Sequence, residues 1–170
     1  MEISINNIAL GAAALAAAVA AFIYLHPSEE RRIKAAFEHA AETISKEEGE
    51  SLISIAAKNR SIADLADREI AICIPEQRVD AKLARSEMAQ QVTIVRKSCS
   101  SLTVAFESVA VQSIDGDTAR ATADLLVSGS GTMSFLNGRD TREVEAVLRK
   151  SPDDGKWRFS SVSIKAIVTP

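Results

Sequence analysis

The chain has 170 residues, of which 46% are hydrophobic, 25% charged and 4% aromatic, and it carries a formal charge of −3. That apolar content excludes a disordered chain, and the lack of a basic excess excludes a nucleic-acid binder that relies on gross charge. Two cysteines, Cys73 and Cys99, are too few for a disulfide framework or a zinc ribbon.

The charge is unevenly spread. Residues 1–27 hold one charged side chain, Glu2, while residues 28–170 hold every Lys and Arg and all the other acids. Ile8 to Leu25 is an uncharged run in which half the residues are Ala. As a helix it would span about 27 Å, close to the thickness of a hydrocarbon core. Ile8, Leu15, Val19, Phe22 and Leu25 are among its strongest apolar contributors, and Tyr24 sits where an interfacial ring belongs. A cleaved signal peptide fits less well, because no Lys or Arg precedes the run and no small-x-small cleavage site follows it. A buried core helix is the other alternative. The favoured reading is a single-pass anchor in an inner or plasma membrane, with the bilayer as first partner. Arg31, Arg32 and Lys34 on the far flank favour a cytoplasmic domain under the positive-inside rule, with an extracytoplasmic domain as the alternative. Ala9, Ala13, Ala17 and Ala21 form a small-residue stripe, which an Ala-rich run produces on any face. The expected organisation is therefore a tail and transmembrane helix over 1–27 and one domain over 28–170.

The apolar period within the domain is first helical. Ile33, Phe37, Ala40, Ala41 and Ile44 predict a helix over roughly 28–46, which Gly49 breaks. Leu52, Ile53, Ile55 and Ala56 predict a short second helix, and 59–67 reads as a turn with one more helical turn at Ile62 and Leu65. Ile70, Ile72 and Ile74 alternate as a strand that Pro75 ends. Residues 76–98 read as helix, with Asp80 as its candidate cap and Leu83, Met88, Val92 and Val95 as its stripe. From there the period is two. Leu102, Val104 and Phe106 slip in phase to Val109 and Val111, which predicts a bulge near Glu107 or Ser108. Asp115-Gly116, Asn137-Gly138 and Pro152 to Gly155 are turn signals, and Gly129-Ser130-Gly131 is a bulge or bend. A last strand runs from Trp157 towards Ile167 through another phase slip. Helices followed by a meander predict an α+β fold, with about three helices packed on one face of a curved, mostly antiparallel sheet.

This order resembles the nuclear transport factor 2-like superfamily, with its SnoaL-like and ketosteroid isomerase-like domains. The resemblance rests on Ile33 to Phe37 in the first helix and on Glu48 to Leu52 opening the second. It continues through the strand ending at Pro75, Arg85 to Met88, Val109 to Val111, Asp115 to Arg120, and Gly155 to Phe159. It implies a cone-shaped domain with a pocket between helices and sheet, a fold often dimeric through the open sheet face. Some members are enzymes and many are binding or assembly modules. Anchored relatives include an inner-membrane component of type IV secretion systems and membrane proteins of actinobacterial lipid-import complexes.

The isomerase-type members use a Tyr and an acid as oxyanion donors. The one Tyr here is Tyr24, inside the apolar run, so that donor set is missing. Three weak catalytic candidates remain. His39 lies at the edge of the first helix's stripe and could serve as a base. Asp67, with Asp64, Arg68 and Glu69, precedes the first strand and could be a buried acid or a solvated loop. Asp124 lies opposite the stripe Ala119, Ala121, Ala123; strand register decides whether it faces the pocket or the outside. No metal-ligand spacing or phosphate loop is present, so no cofactor and no metal is expected. Cys73 reads as a small buried hydrophobe and Cys99 as the more exposed thiol, with pairing left open. The expected function is a non-catalytic binding or assembly module on a membrane, acting through sheet face or pocket, with a second copy or a membrane-complex protein as partner. The alternative is a tethered pocket for a small apolar ligand, or an enzyme of lyase, isomerase or hydrolase type.

Overall fold

A computed structural model describes residues 28–131 and 138–166 of the chain. The apolar run with Ile8, Leu15, Val19, Phe22 and Leu25, the turn residue Asn137 and the strand end at Ile167 lie outside the described residues. Among the described residues, no helix is long and apolar enough to cross a membrane. The chain divides into two compact units, 1–32 and 33–170. The described part of the first is the opening turn of a helix, where Arg32 Nη1 lies 3.2 Å from Glu29 Oε1.

The elements are α1 (Glu29–Ile44), α2 (Leu52–Asp64), β1 (Ala66–Ile74), a 3-10 turn (Pro75–Gln77), β2 (Val79–Ala84), α3 (Arg85–Ser98), β3 (Cys99–Asp115), β4 (Thr118–Gly131), β5 (Gly138–Lys150) and β6 (Trp157–Ala166). The α+β class and the three helices on a sheet agree with the sequence reading. The sheet has six strands in the order β2-β1-β6-β5-β4-β3, all neighbours antiparallel except β1 and β6.

Three stretches differ from expectation. Residues 52–64 form one continuous helix, N-capped by Ser51, whose Oγ accepts from Ser54 N at 3.2 Å. It buries Ile62, whereas Leu52 and Ile53, expected on the apolar stripe, are each 84% exposed. Residues 79–84 are a strand, paired with β1 from Ile74↔Val79 to Glu69↔Ala84. Asp80 therefore sits opposite Cys73 and caps nothing. The helix instead starts at Arg85, where the Glu87 carboxylate accepts from Ala84 N at 2.9 Å. Third, the strand of Ile70 begins earlier, at Ala66, so Asp67 lies within β1 rather than before it.

The phase slips become real irregularities. The β3–β4 register breaks between Glu107 and Ala110, and Ser108 takes a left-handed φ of 52°. A second break, between Cys99 and Ser101, lies opposite Ser130-Gly131. A side chain at Gly131 would run into Ser98 O and Cys99 Cα. The slip in the last strand falls where β5 and β6 shift between Val147 and Leu148. Such bulges let long strands curl around a core.

The concave face carries Ala119, Ala121 and Ala123 of β4, flanked by Val144, Ala146 and Leu148 of β5, all buried. The alanines leave room for α1 to press Phe37 towards the sheet. Its ring meets Phe106 and Phe159 edge-on, at 5.2 and 5.0 Å between centroids.

A buried polar clasp joins the three helices. Arg96 of α3 and Glu50, just before α2, have side chains 3% and 5% exposed, with Nη2 2.8 Å from Oε2. Arg96 Nη1 donates to Thr43 O at the end of α1 at 2.6 Å. Lys58 Nζ lies 2.8 Å from Glu50 Oε1 and donates to Ser45 O. Lys46 Nζ donates to the carbonyls of Arg96 and Cys99. Burial alone would push the Glu50 carboxyl up. The hydrogen bonds from Lys58 and Ser54 and the charges of Lys58 and Arg96 outweigh it and hold the pKa below the usual value.

Arg96→Met should destabilise the domain by about 3–5 kcal/mol in chemical denaturation, because it removes one partner of a buried pair. A lowered carboxyl pKa contributes stability above its unfolded-state value, and the contribution is lost as pH falls through the folded value. Glu50→Gln should therefore flatten the acid side of the stability–pH curve; an unchanged curve would mean that Glu50 contributes nothing there.

Candidate functional site

Between the helices and the concave face lies a cavity of about 310 Å³. Ala40 and Ile44 of α1 and Met88, Val92 and Val95 of α3 form its helical wall. Ile70, Ile72, Leu102, Val104, Phe106, Leu125, Val127, Val144, Val162 and Ile164 form its sheet wall, and Leu65 and Phe159 close one side. Every lining side chain is apolar. The strand alternation explains this, since β1, β4, β5 and β6 each turn their aliphatic residues to the same face. The wall offers dispersion and hydrophobic contact, and no group able to move a proton or hold a metal. Among the described residues no cluster of His, Cys, Asp and Glu has the makings of a metal site.

The three catalytic candidates do not converge, and none lines this cavity. Asp124 points to the opposite, outer face, because Ala121 and Ala123 take the inner one. There it stands in register with Glu107 of β3 and Glu143 of β5, and Glu143 in turn faces Lys165 of β6. Lys165 Nζ lies 2.6 Å from Glu145, and that carboxylate raises the lysine's pKa. Asp67 is half-buried in β1, where its main-chain carbonyl accepts from Arg85 Nε at 3.3 Å. Glu69 is paired on the surface with Lys82.

His39 lines a different cleft, of about 400 Å³, together with Ala36 of α1, Ser61, Asp64 and Leu65 at the end of α2, and Lys156, Trp157 and Phe159 at the start of β6. Its rim is fixed by Arg158, which is buried. Arg158 makes a two-pronged bond to Asp154 at 3.0 and 2.7 Å and donates to Asp64 O at 3.2 Å. The Arg158 guanidinium above all, opposed by desolvation and helped by the Lys156 amide and the Ser151 hydroxyl, holds the Asp154 carboxyl at a pKa of about 2. His39 and Asp64 were legible singly. Ser61, Lys156 and Trp157 were not, because nothing local in the sequence brings residues so far apart to one cleft.

The cysteines reverse the expected order. Both are free; Cys99 is buried and donates to Val95 O, while Cys73 is half-buried on the outer face of β1. Burial, opposed by the Lys46 charge, pushes the Cys99 thiol up. A thiol-alkylating reagent should modify Cys73 well before Cys99 in the folded domain, as peptide mapping by mass spectrometry would show; equal labelling would contradict this packing.

The sequence matches no protein-family model. It matches no curated protein either. Solved structures do match in three dimensions. A nuclear transport factor 2-like protein with a cystatin-like fold from Novosphingobium aromaticivorans is 14% identical, with a TM-score of 0.62 over 100% of this chain and 94% of that one. A candidate dehydratase of the nuclear transport factor 2-like family from Streptomyces avermitilis is also 14% identical, with a TM-score of 0.63 over 83% and 97% of the two chains. A nuclear transport factor 2-like protein of unknown function from Pseudomonas aeruginosa is 12% identical, with a TM-score of 0.54 over 79% and 94%. With its helices packed on a curved six-stranded sheet, the chain has the cystatin-like fold of these nuclear transport factor 2-like proteins.

Proposed function

We propose that the chain is a non-catalytic binding domain that takes an apolar small molecule into the cavity between helices and sheet, while residues 8–25 tether it to a bilayer. The observation that carries this reading is the wholly apolar wall. The size of the cavity suits a small ligand, since ligand pockets run from about 300 to 1,000 Å³. General acid–base catalysis needs a titratable group within hydrogen-bond reach of the reacting atom. Dehydratase names among the structural neighbours belong to those proteins, and the wall here supplies no residue to carry such chemistry.

The sheet face is the weaker of the two binding surfaces. The row Glu107, Asp124 and Glu143 puts three carboxylates side by side there, so pairing with a second copy through that row would bring like charges together. A protein of a membrane complex is the partner we favour for that face, and the cytoplasmic side is the placement favoured by Arg31, Arg32 and Lys34.

A solvatochromic apolar dye should bind the domain saturably and be displaced by fatty acids or isoprenoid alcohols. Val92→Phe, which fills the cavity without adding charge, should weaken dye binding about tenfold or more, the equivalent of 1.4 kcal/mol or more. His39→Ala, outside the wall, should leave it unchanged. Equal binding by wild type and Val92→Phe would overturn the reading.

A further inference from the structure

The side cleft holds a set of groups that the apolar cavity does not use. Leu65 and Phe159 line both spaces, so they form the partition between them. Phe159 N donates to Leu65 O at 2.9 Å, which fixes that partition through the main chain. On the outer side the floor is aromatic, formed by Trp157 and Phe159, and the rim is charged.

The rim carries both signs and leaves them largely uncommitted. No hydrogen bond or ion pair among the described residues engages the Asp64 carboxylate or the His39 ring; the contact to Asp64 is made through its main-chain carbonyl. The Lys156 side chain is 72% exposed, and its Nζ makes a long ion pair of 3.9 Å with Asp154, whose two oxygens are already bonded to Arg158. Ser61 donates its hydroxyl to Ala57 O at 3.3 Å, which leaves its oxygen able to accept. The cleft thus presents one carboxylate, one ammonium and one imidazole around an apolar aromatic floor.

We propose that this cleft is a second ligand site, for a small zwitterion with a flat apolar body, the chemistry of an aromatic amino acid. The ligand's ammonium pairs with Asp64, and the Ser61 oxygen is a further acceptor for it. The ligand's carboxylate pairs with Lys156 and takes a hydrogen bond from a ring N–H of His39. Its apolar body lies over Trp157 and Phe159. A purely anionic ligand would leave Asp64 facing like charge, and a purely cationic one would do the same to Lys156, so the mixed rim selects a molecule that carries both. This site is independent of whether the larger cavity binds anything.

The chain contains a single tryptophan, and it lines this cleft and not the apolar cavity. Tryptophan-selective emission therefore reports the proposed site. The full-length protein would be titrated with L-phenylalanine, phenylacetate and phenethylamine. L-Phenylalanine should change the emission saturably and bind about tenfold or more tighter than either single-charge analogue, since a charge-assisted contact is lost with each. Asp64→Asn should weaken L-phenylalanine and phenethylamine but not phenylacetate. Lys156→Gln should weaken L-phenylalanine and phenylacetate but not phenethylamine. Both residues are exposed, and unchanged circular dichroism would confirm that the variants fold. The absence of any saturable change with L-phenylalanine, or equal affinity in wild type and both variants, would overturn the proposal.

Discussion

The grip of Arg96 on Glu50 and on the Thr43 carbonyl is the constraint from which the cavity follows. Taking these charges out of water costs several kcal/mol, and the cost is recovered only because nearly every donor and acceptor is used. No buried side-chain nitrogen or oxygen among the described residues lacks a partner. The clasp ties the C-terminal end of α1 to the loop before α2 and to the last turn of α3. Ile44 and Val95, which border Thr43 and Arg96 in sequence, are both cavity-wall residues. Polar chemistry is therefore gathered at one end of the helical layer, and the wall beside it can be wholly apolar without stranding a charge.

The sheet obeys a matching constraint. β4 places alanines where α1 approaches and larger residues, Leu125 and Val127, where the helices stand off and leave the cavity open. A uniformly bulky stripe would push Phe37 away from the sheet, and a uniformly small one would leave no wall for a ligand. The bulges at Ser108 and opposite Ser130-Gly131 allow β3 and β4 to bend around this change in thickness.

Most of this was readable wherever one physical signal dominated. Strict alternation located β1, β4 and β5, and a break in phase located the bulge near Ser108 to within one residue. The hairpin β1–β2 was half missed for a specific reason. In Val79-Asp80-Ala81-Lys82-Leu83-Ala84, Val79 and Leu83 are four apart, which satisfies a helix as well as a strand. Only the pairing with β1, a tertiary fact, decides between them. The same limit applied to α2: Leu52 and Ile53 look like the start of a stripe, yet the core lies on the side of Ile62. For the candidate site, the direction of Asp124 depended on which face of β4 met the helices. The sequence alone leaves both facings open; in the fold the Ala stripe is the inner face, where close packing against a helix favours small side chains.

The partition at Leu65 and Phe159 gives the fold two environments with opposite chemistry. On the inner side, an ionised group would find no charged or polar side chain as partner, so a ligand gains affinity there mainly by shape and apolar area. On the outer side, His39, Asp64 and Lys156 remain exposed, so the Asp64 and Lys156 charges attract and select without a large desolvation cost. The Arg158–Asp154 pair stiffens that outer rim, and its guanidinium reaches across to the last residue of α2. Leu65 follows Asp64 and its carbonyl accepts from Phe159 N, so rim and partition are joined through the main chain. Both side chains belong to both walls, so one packed arrangement of Leu65 and Phe159 shapes the two spaces.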